Sequence, residues 1–198
     1  SKTLNKIDPS IFVYGEGWNA GKSPLPEKDR AVKANANQLD QVAVFSDDIR
    51  DGLKGHVFTA DAKAFISGEK DLEESIKFGI VGATQHPQLD YSKVNYSKSP
   101  WANQPAQCIN YVSCHDNNTL YDRLDISCPE ATEEQKVKMA SLALGVVLTS
   151  QGVPFLHAGS EFLRTKNGVE NSYESSDSIN AIDWSRKNQY LSTVQFVK

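Results

Sequence analysis

The sequence predicts an α/β fold built on a parallel sheet, and within that class one half of a (β/α)8 barrel of the TIM type. Four short apolar runs lack polar alternation, which is the pattern of strands covered on both faces. Segments with helix character separate them. The strand-then-helix unit occurs four times, half of the eight that close a β/α barrel.

Taken in order, Ser1–Pro9 reads as the tail of a preceding helix and its loop. Ile11–Tyr14 is the first strand and Val42–Phe45 the second. Asp48–Lys54 is a short helix that Gly55 closes, and Asp71–Phe78 a helix that Gly79 closes. Ile109–Val112 is the third strand, followed by a helix beginning near Thr119. Thr132–Thr149 is the strongest helix: Thr132 and Gln135 have capping-box spacing, and Gly152 with Pro154 stops it. Its second half is apolar nearly all round, so it should pack between other elements. Val153–His157 is the fourth strand, and a last helix starts near Arg186 and reaches Lys198. Loops rich in Ser, Asn, Pro and Gly fall at Asn19–Pro26, Ser92–Ala106 and Asn167–Asn180. No stop signal precedes Lys198. The expectation is one partial barrel domain over residues 1–198, truncated at both ends.

With 198 residues, 39% of them hydrophobic and 23% charged, the composition is that of a soluble globular chain. A net charge of −4 gives no basic footprint for nucleic acid. No apolar run approaches the ~20 residues of a membrane span. Cys108, Cys114 and Cys128 show neither metal-ligand spacing nor a disulfide framework. Cys108 and Cys114, six apart, should share a strand face as buried thiols.

Chemistry concentrates just after the apolar runs. Glu16 lies between Gly15 and Gly17, where the backbone can turn sharply off a strand and present the carboxyl beside Trp18. An aromatic wall disfavours the charged form of a carboxyl, which suits a general acid. His115-Asp116 follows the third run. A carboxylate there can steady an oxocarbenium-like transition state, and the imidazole can donate to sugar hydroxyls. Asp116, Asn117 or Asn118 equally fits the cap of the helix near Thr119, with Asn118 capping and Asp116 free in one combined reading. Glu161, Arg164 and Lys166 read as a structural ion-pair group. Asn171-Ser172-Tyr173 suits a sugar cleft or a plain polar loop. Asp47-Asp48 reads as the first turn of a helix rather than an acid pair. Tyr96 and Trp101 fit sugar stacking or a satellite apolar cluster, the latter being the commoner arrangement.

Three ordered stretches resemble type I pullulanases, debranching members of the α-amylase glycoside hydrolase family. They are Tyr14-Gly15-Glu16-Gly17-Trp18, the run from Asn110 through Ser113-Cys114-His115-Asp116-Asn117 to Leu120, and Gln151 through His157-Ala158-Gly159-Ser160-Glu161 to Gly168. Asn171-Ser172-Tyr173, Asp177–Asn180 and Asp183-Trp184 continue the likeness, which covers nearly the whole chain from about Ile7. The resemblance implies strands five to eight of the barrel. It makes Glu16 the general acid/base and Asp116 the carboxylate that stabilises the transition state. It makes His115 and Asn117 substrate-binding; Trp18 and Tyr173 are read as substrate-binding from their aromatic rings. The implied reaction is retaining hydrolysis of α-1,6 branch links in pullulan, amylopectin or glycogen-type glucans. An isoamylase, another α-amylase-family enzyme, or a non-catalytic carbohydrate-binding module derived from one is the alternative.

The sequence departs from the family at three places. The nucleophilic aspartate of strand four, in a stretch like Gly-Phe-Arg-Phe-Asp, is absent, as is the His-containing motif after strand three. Cys114 stands where a Ser or another small residue is usual. The chain alone is therefore expected to be inactive, and its expected partners are a branched α-glucan and either the missing N-terminal half of the barrel or another copy of itself. No cofactor and no metal site are expected. Calcium serves some relatives, but no local run of Asp and Asn at ligand spacing compels it here. The resemblance fits a bacterial protein of the cytoplasm, or one exported to the periplasm or medium.

Overall fold

The structure, a computed structural model, describes residues 2–19 and 21–198. Ser1, expected in the leading helix tail, and Ala20, expected in the first loop, lie outside the described residues. Among the described residues four strands form one parallel sheet: β1 (Val13–Gly15), β2 (Val42–Phe45), β3 (Cys108–Asn110) and β4 (Val153–Pro154), in that spatial order. Val13 pairs with Val42, Val44 with Cys108, and Ile109 with Val153. Each strand lies beside its successor, so the order never reverses as it does in a doubly wound sheet.

Before the sheet comes α1 (Lys2–Ile7), which buries nothing. The connections carry α2 (Asp47–Lys54), α3 (Glu73–Ile80), α4 (Leu120–Ser127) and α5 (Glu133–Thr149), and α6 (Asp177–Asn180), α7 (Arg186–Gln189) and α8 (Leu191–Val197) follow β4. No helix among the described residues is long and apolar enough to cross a membrane.

The helices cover one face of the sheet. There Val112 joins Ile49, Leu53, Leu124, Leu144 and Phe162 in the larger core. Val44 and Cys108 join Phe78, Val94 and Trp101 in a smaller one, so Trp101 belongs to a satellite cluster. Residues that alternate with these point to the opposite face, and they are aromatic. Tyr14 lies 6.0 Å from Phe45 between ring centroids, and Phe45 lies 4.9 Å from Tyr111 and 5.2 Å from Phe155. Among the described residues no helix covers this face at its β1 end, where Phe12 and Tyr14 stay 48% and 53% exposed.

Several elements differ from the expected bounds. The ladder of β3 starts one residue earlier and stops at Asn110, and β4 stops at Pro154, because strand extent is set by partners rather than by apolar character. Phe155 adds one bond, its N–H donating to the Asn110 carbonyl at 2.8 Å. The helix expected over Asp71–Phe78 runs two residues further, straight through Gly79. That glycine permits contact with α2, since a Cβ there would sit 2.4 Å from Ile49 Cδ1. The left-handed turn falls later, at Gly82 (φ 66°) and Ala83 (φ 57°). α5 has its expected Thr132–Gln135 capping box and packs, as expected, between other elements, against α3, α4 and α8, although Leu142 stays exposed. The last helix breaks at Tyr190. Its ring is buried and its hydroxyl donates to Glu133, with the Arg186 guanidinium 4.9 Å above the ring. The loop expected over Asn167–Asn180 ends in the short α6. Cys108 and Cys114 share no strand face: Cys108 is in the smaller core, where burial pushes its thiol up to about 12, and Cys114 lies beyond the strand.

Buried polar groups fasten the loops that leave the strands. Asp48 accepts from the Tyr96 and Ser97 backbone N–H groups at 3.2 and 2.9 Å, and Lys33 pairs with it at 3.0 Å and with Asp47. The expected structural reading holds for Asp48. Arg123, buried and without a carboxylate partner among the described residues, donates to the carbonyls of Lys54, Ala60 and His56. The expected ion-pair group of Glu161, Arg164 and Lys166 does not form. Glu161 accepts from the Gly159 N–H at 3.1 Å, and Arg164 donates to the Asn180 carbonyl at 2.5 Å. Arg164 also lies 3.2 Å from His157 Nε2.

Burial first, then the Arg164 and Lys166 cations, push the His157 imidazole down from 6.5 to about 4. The unfolded chain protonates it near 6.5, so its contribution to stability is full above that pH and is lost as pH falls through 4. Between pH 6.5 and 4 the melting temperature of His157→Gln should fall about 2–4 °C less than that of the parent chain, read by circular dichroism. Gly79→Ala should destabilise by about 1–3 kcal/mol in urea titration, because the new methyl overpacks Ile49, although the same exchange in a free helix stabilises it by about 1 kcal/mol.

Candidate active site

The C-terminal ends of parallel strands share one rim, and the loops leaving that rim build an open hollow of about 1060 Å³. From β1 the chain passes directly to Glu16. Gly17 then takes φ 77°, and a Cβ on it would meet Val44 Cβ at 2.9 Å, so both the turn and the close approach to β2 demand glycine. Trp18 is half-buried on the wall. After β3 the chain runs through Tyr111 and Cys114 to His115, Asp116 and Asn117.

Glu16, His115 and Asp116 meet. One carboxylate oxygen of Glu16, one of Asp116 and one ring nitrogen of His115 all lie within 4.8 Å of one another, and all three residues are exposed. His115 Nε2 is 3.4 Å from Asp116 Oδ1. Asn117 takes a left-handed φ of 60°, which Asn tolerates better than most residues, and its amide donates to Glu170 at 3.4 Å. These three close groups are those of the described residues that could ligate a cation, and nothing beyond their proximity points to one.

The helix cap resolves in favour of a residue outside the expected set. Thr119 caps α4, its hydroxyl accepting from the Asp122 N–H at 3.1 Å. Asn118 instead donates to the Gly168 carbonyl at 3.2 Å. Asp116 is thus free of capping and faces the hollow.

Five of the six expected site residues, Glu16, Trp18, His115, Asp116 and Asn117, line the hollow. Tyr173 does not: it is 75% exposed and off the wall, and Asn171, two residues earlier, takes the place on it. Sequence reasoning missed Arg50, Lys54, Tyr111 and Glu170. Asp47, Arg50 and Lys54 stand at i, i+3 and i+7 on one face of α2, a spacing that marks a shared direction. Tyr96, half-exposed, donates to Asp51 at 2.7 Å and so serves this helix rather than the wall.

Arg50 donates to the Tyr111 hydroxyl at 2.7 Å and pairs with Asp51 at 2.5 Å. Burial works against its charge, but these partners outweigh it and hold the guanidinium above its ordinary range. Burial pushes the Tyr111 phenol up. Burial, with repulsion from Arg50, pushes the Lys54 amine down to about 7. The hollow therefore combines a carboxylate pair at its mouth, an aromatic floor and cationic walls. The carboxylate pair and the aromatic floor suit an uncharged polyol whose reaction develops positive charge.

No family model matches the chain. Relatives are clear. The chain is 38% identical over 193 residues to a pullulanase of Bacillus subtilis (strain 168), covering 98% of this chain and 26% of that protein. It is 31% identical over 220 residues to the chloroplastic pullulanase 1 of Arabidopsis thaliana, covering 93% and 23%. Among solved structures, the Paenibacillus barengoltzii pullulanase in complex with maltohexaose and α-cyclodextrin matches with a TM-score of 0.89 and 42% identity, over 99% of this chain and 29% of that one. The type I pullulanase of Bacillus subtilis str. 168 complexed with maltose matches with a TM-score of 0.90 and 38% identity, over 99% and 26%. The chain spans about a quarter of the length of the curated relatives it matches. In sequence and in fold alike, this chain is homologous along nearly its whole length to a segment of the type I pullulanases.

Proposed function

We propose that the chain is the C-terminal half, strands five to eight, of the catalytic (β/α)8 barrel of a glycoside hydrolase that cleaves α-1,6 branch links in pullulan-, amylopectin- or glycogen-type glucans. The observation that carries this reading is the convergence of Glu16 and Asp116 within 4.8 Å at one rim, a hundred residues apart in sequence. Support comes from the relatives, one of them held with maltohexaose and α-cyclodextrin.

The reaction runs in two balanced steps. In the first, a nucleophilic aspartate from the missing half bonds to the anomeric carbon. The bond from that carbon to the leaving oxygen breaks, and the Glu16 carboxyl gives its proton to that oxygen. In the second, the Glu16 carboxylate takes a proton from water, the water oxygen bonds to the anomeric carbon, and the ester bond to the nucleophile breaks. Asp116 lies where its charge offsets the oxocarbenium character of both transition states. His115 and Asn117 donate to ring hydroxyls, and Trp18 gives an apolar wall for a sugar face. Tyr173, off the wall, reaches only glucan that extends beyond the hollow.

On this reading the aromatic face around Tyr14, Phe45, Tyr111 and Phe155 is the upper layer of a barrel interior. The isolated chain leaves it open, along with the outer edges of β1 and β4. Sedimentation should therefore show self-association of the isolated chain, or its pairing with the N-terminal half when the two are mixed. A monomer that binds no apolar dye contradicts this.

The chain alone should release no reducing sugar from pullulan above a Glu16→Gln control. Grafted into the Bacillus subtilis pullulanase in place of the matching segment, it should restore release. In the graft, Glu16→Gln should lower kcat about 10²–10⁴-fold and Asp116→Asn about 10²–10³-fold. A folded graft indifferent to Glu16→Gln defeats the reading, and an active isolated chain transfers the nucleophile's role to Asp116.

A further inference from the structure

Behind the loop that carries His115 and Asp116 lies a lysine that no step above uses. Lys166 is 1% exposed, yet forms an ion pair with no carboxylate among the described residues. Its ammonium donates instead to three main-chain carbonyls: His115 at 3.2 Å, Asn117 at 2.6 Å and Glu170 at 3.2 Å. The first two flank Asp116. The left-handed φ of Asn117 is part of the turn that presents its carbonyl to this ammonium. The third belongs to the segment that supplies Glu170 and Asn171 to the wall.

The lysine is itself held in place. The Lys166 N–H donates to Asp122 Oδ2 at 2.7 Å, and the hydroxyls of Thr165 and Thr119 donate to the same carboxylate. Asp122 thereby joins the 164–168 loop to the first turn of α4. Lys54 meets the loop separately, donating to the Asn118 carbonyl at 3.1 Å. An ammonium surrounded by carbonyl oxygens does what a bound cation does for an irregular loop, but it is covalently part of the chain and cannot dissociate. Burial holds its pKa below the ordinary lysine value, with Asp122 opposing that shift.

We propose that Lys166 is a positioning residue: its buried ammonium gathers the carbonyls of His115, Asn117 and Glu170 and so aims Asp116 at Glu16 across the hollow. Its role in catalysis rests on the hydrolase reading above, whereas its hold on the loop does not. Lys166 is buried and off the wall of the hollow, so its loss acts on alignment in the transition state rather than on substrate contact.

The test has two arms. In the isolated chain, Lys166→Met should speed hydrogen exchange of the 115–118 amides at least tenfold relative to the parent chain, while α2 and α5 amides keep their protection. In the Bacillus subtilis graft, the same substitution should lower kcat on pullulan tenfold or more with KM changed less than threefold. Should Lys166→Met fail to fold, Lys166→Gln, which keeps two N–H donors without the charge, is read the same way. Unchanged exchange in the loop overturns the proposal. So does a loss of activity that merely follows a loss of folded protein, or a change confined to KM. A parent graft that folds but is inactive counts against the hydrolase reading, and the exchange arm still decides whether Lys166 holds the loop.

Discussion

The parallel ladder is the constraint on which everything else in this molecule depends. Because β1 to β4 all run the same way and each pairs with its successor, every segment leaving a strand emerges at the same rim. Glu16 follows the Gly15–Val44 pair by one residue, and Asp116 follows the Ile109–Val153 pair by seven. Neither position is close to the other in sequence, and no local interaction brings them together. If one of the two strands ran the other way, its carboxylate would stand at the opposite rim. The same rule explains why Arg50 and Lys54, in the helix that follows β2, share a hollow with residues from β1 and β3 loops.

Convergence of strand ends does not by itself hold the loops in shape. Irregular backbone leaves carbonyl groups without helix or ladder partners, and buried carbonyls must be satisfied. The chain meets this need with buried cations rather than with more secondary structure. Arg123 serves the carbonyls of Lys54, Ala60 and His56, Lys54 serves that of Asn118, and Lys166 serves three more. Using carbonyl oxygens instead of carboxylates as partners has a chemical consequence. Glu16 and Asp116, the acids at the mouth, are left without a lysine or arginine bridge among the described residues. A carboxylate clamped by a salt bridge would be a poor proton donor and a weak counter-charge for a developing cation.

Much of this was legible in the residues. The four apolar runs marked the four strands, and the glycines around Glu16 marked the turn that exposes it. The capping box of Thr132 and Gln135 is present as expected. Three kinds of feature were not legible, each for a physical reason. Strand ends blurred because pairing, not composition, decides where a ladder stops, as at Asn110 and Pro154. Gly79 looked like a helix stop because local sequence carries no record of Ile49 pressing against it from α2. The partners of Arg164 and Lys166 were misread because sequence proximity favours Glu161, whereas the fold brings main-chain carbonyls from 16 to 51 residues away: Asn180 to Arg164, and Asn117 and His115 to Lys166. Tyr173 was placed in the cleft by its residue type alone, and the turn after Ser172 carries it out to solvent.

The aromatic face ties folding and recognition into one surface. Tyr14, Phe45, Tyr111 and Phe155 contact one another across all four strands, and the same four rings form the floor of the hollow. In a complete barrel, rings in this position would be packed from the far side by side chains of the remaining strands. The floor would then be rigid, and its depth would be set by residues this chain does not supply. On the proposed reading, affinity for a glucan would depend on that rigidity, since a ring free to turn must lose motion when a sugar settles on it. The Asp116 loop is held from beneath by the Lys54 and Lys166 ammoniums. On that same reading, the chain carries the acid/base and the stabilising carboxylate at the rim above an incomplete base, and the N-terminal half of the barrel would bring both the nucleophile and the rest of that base.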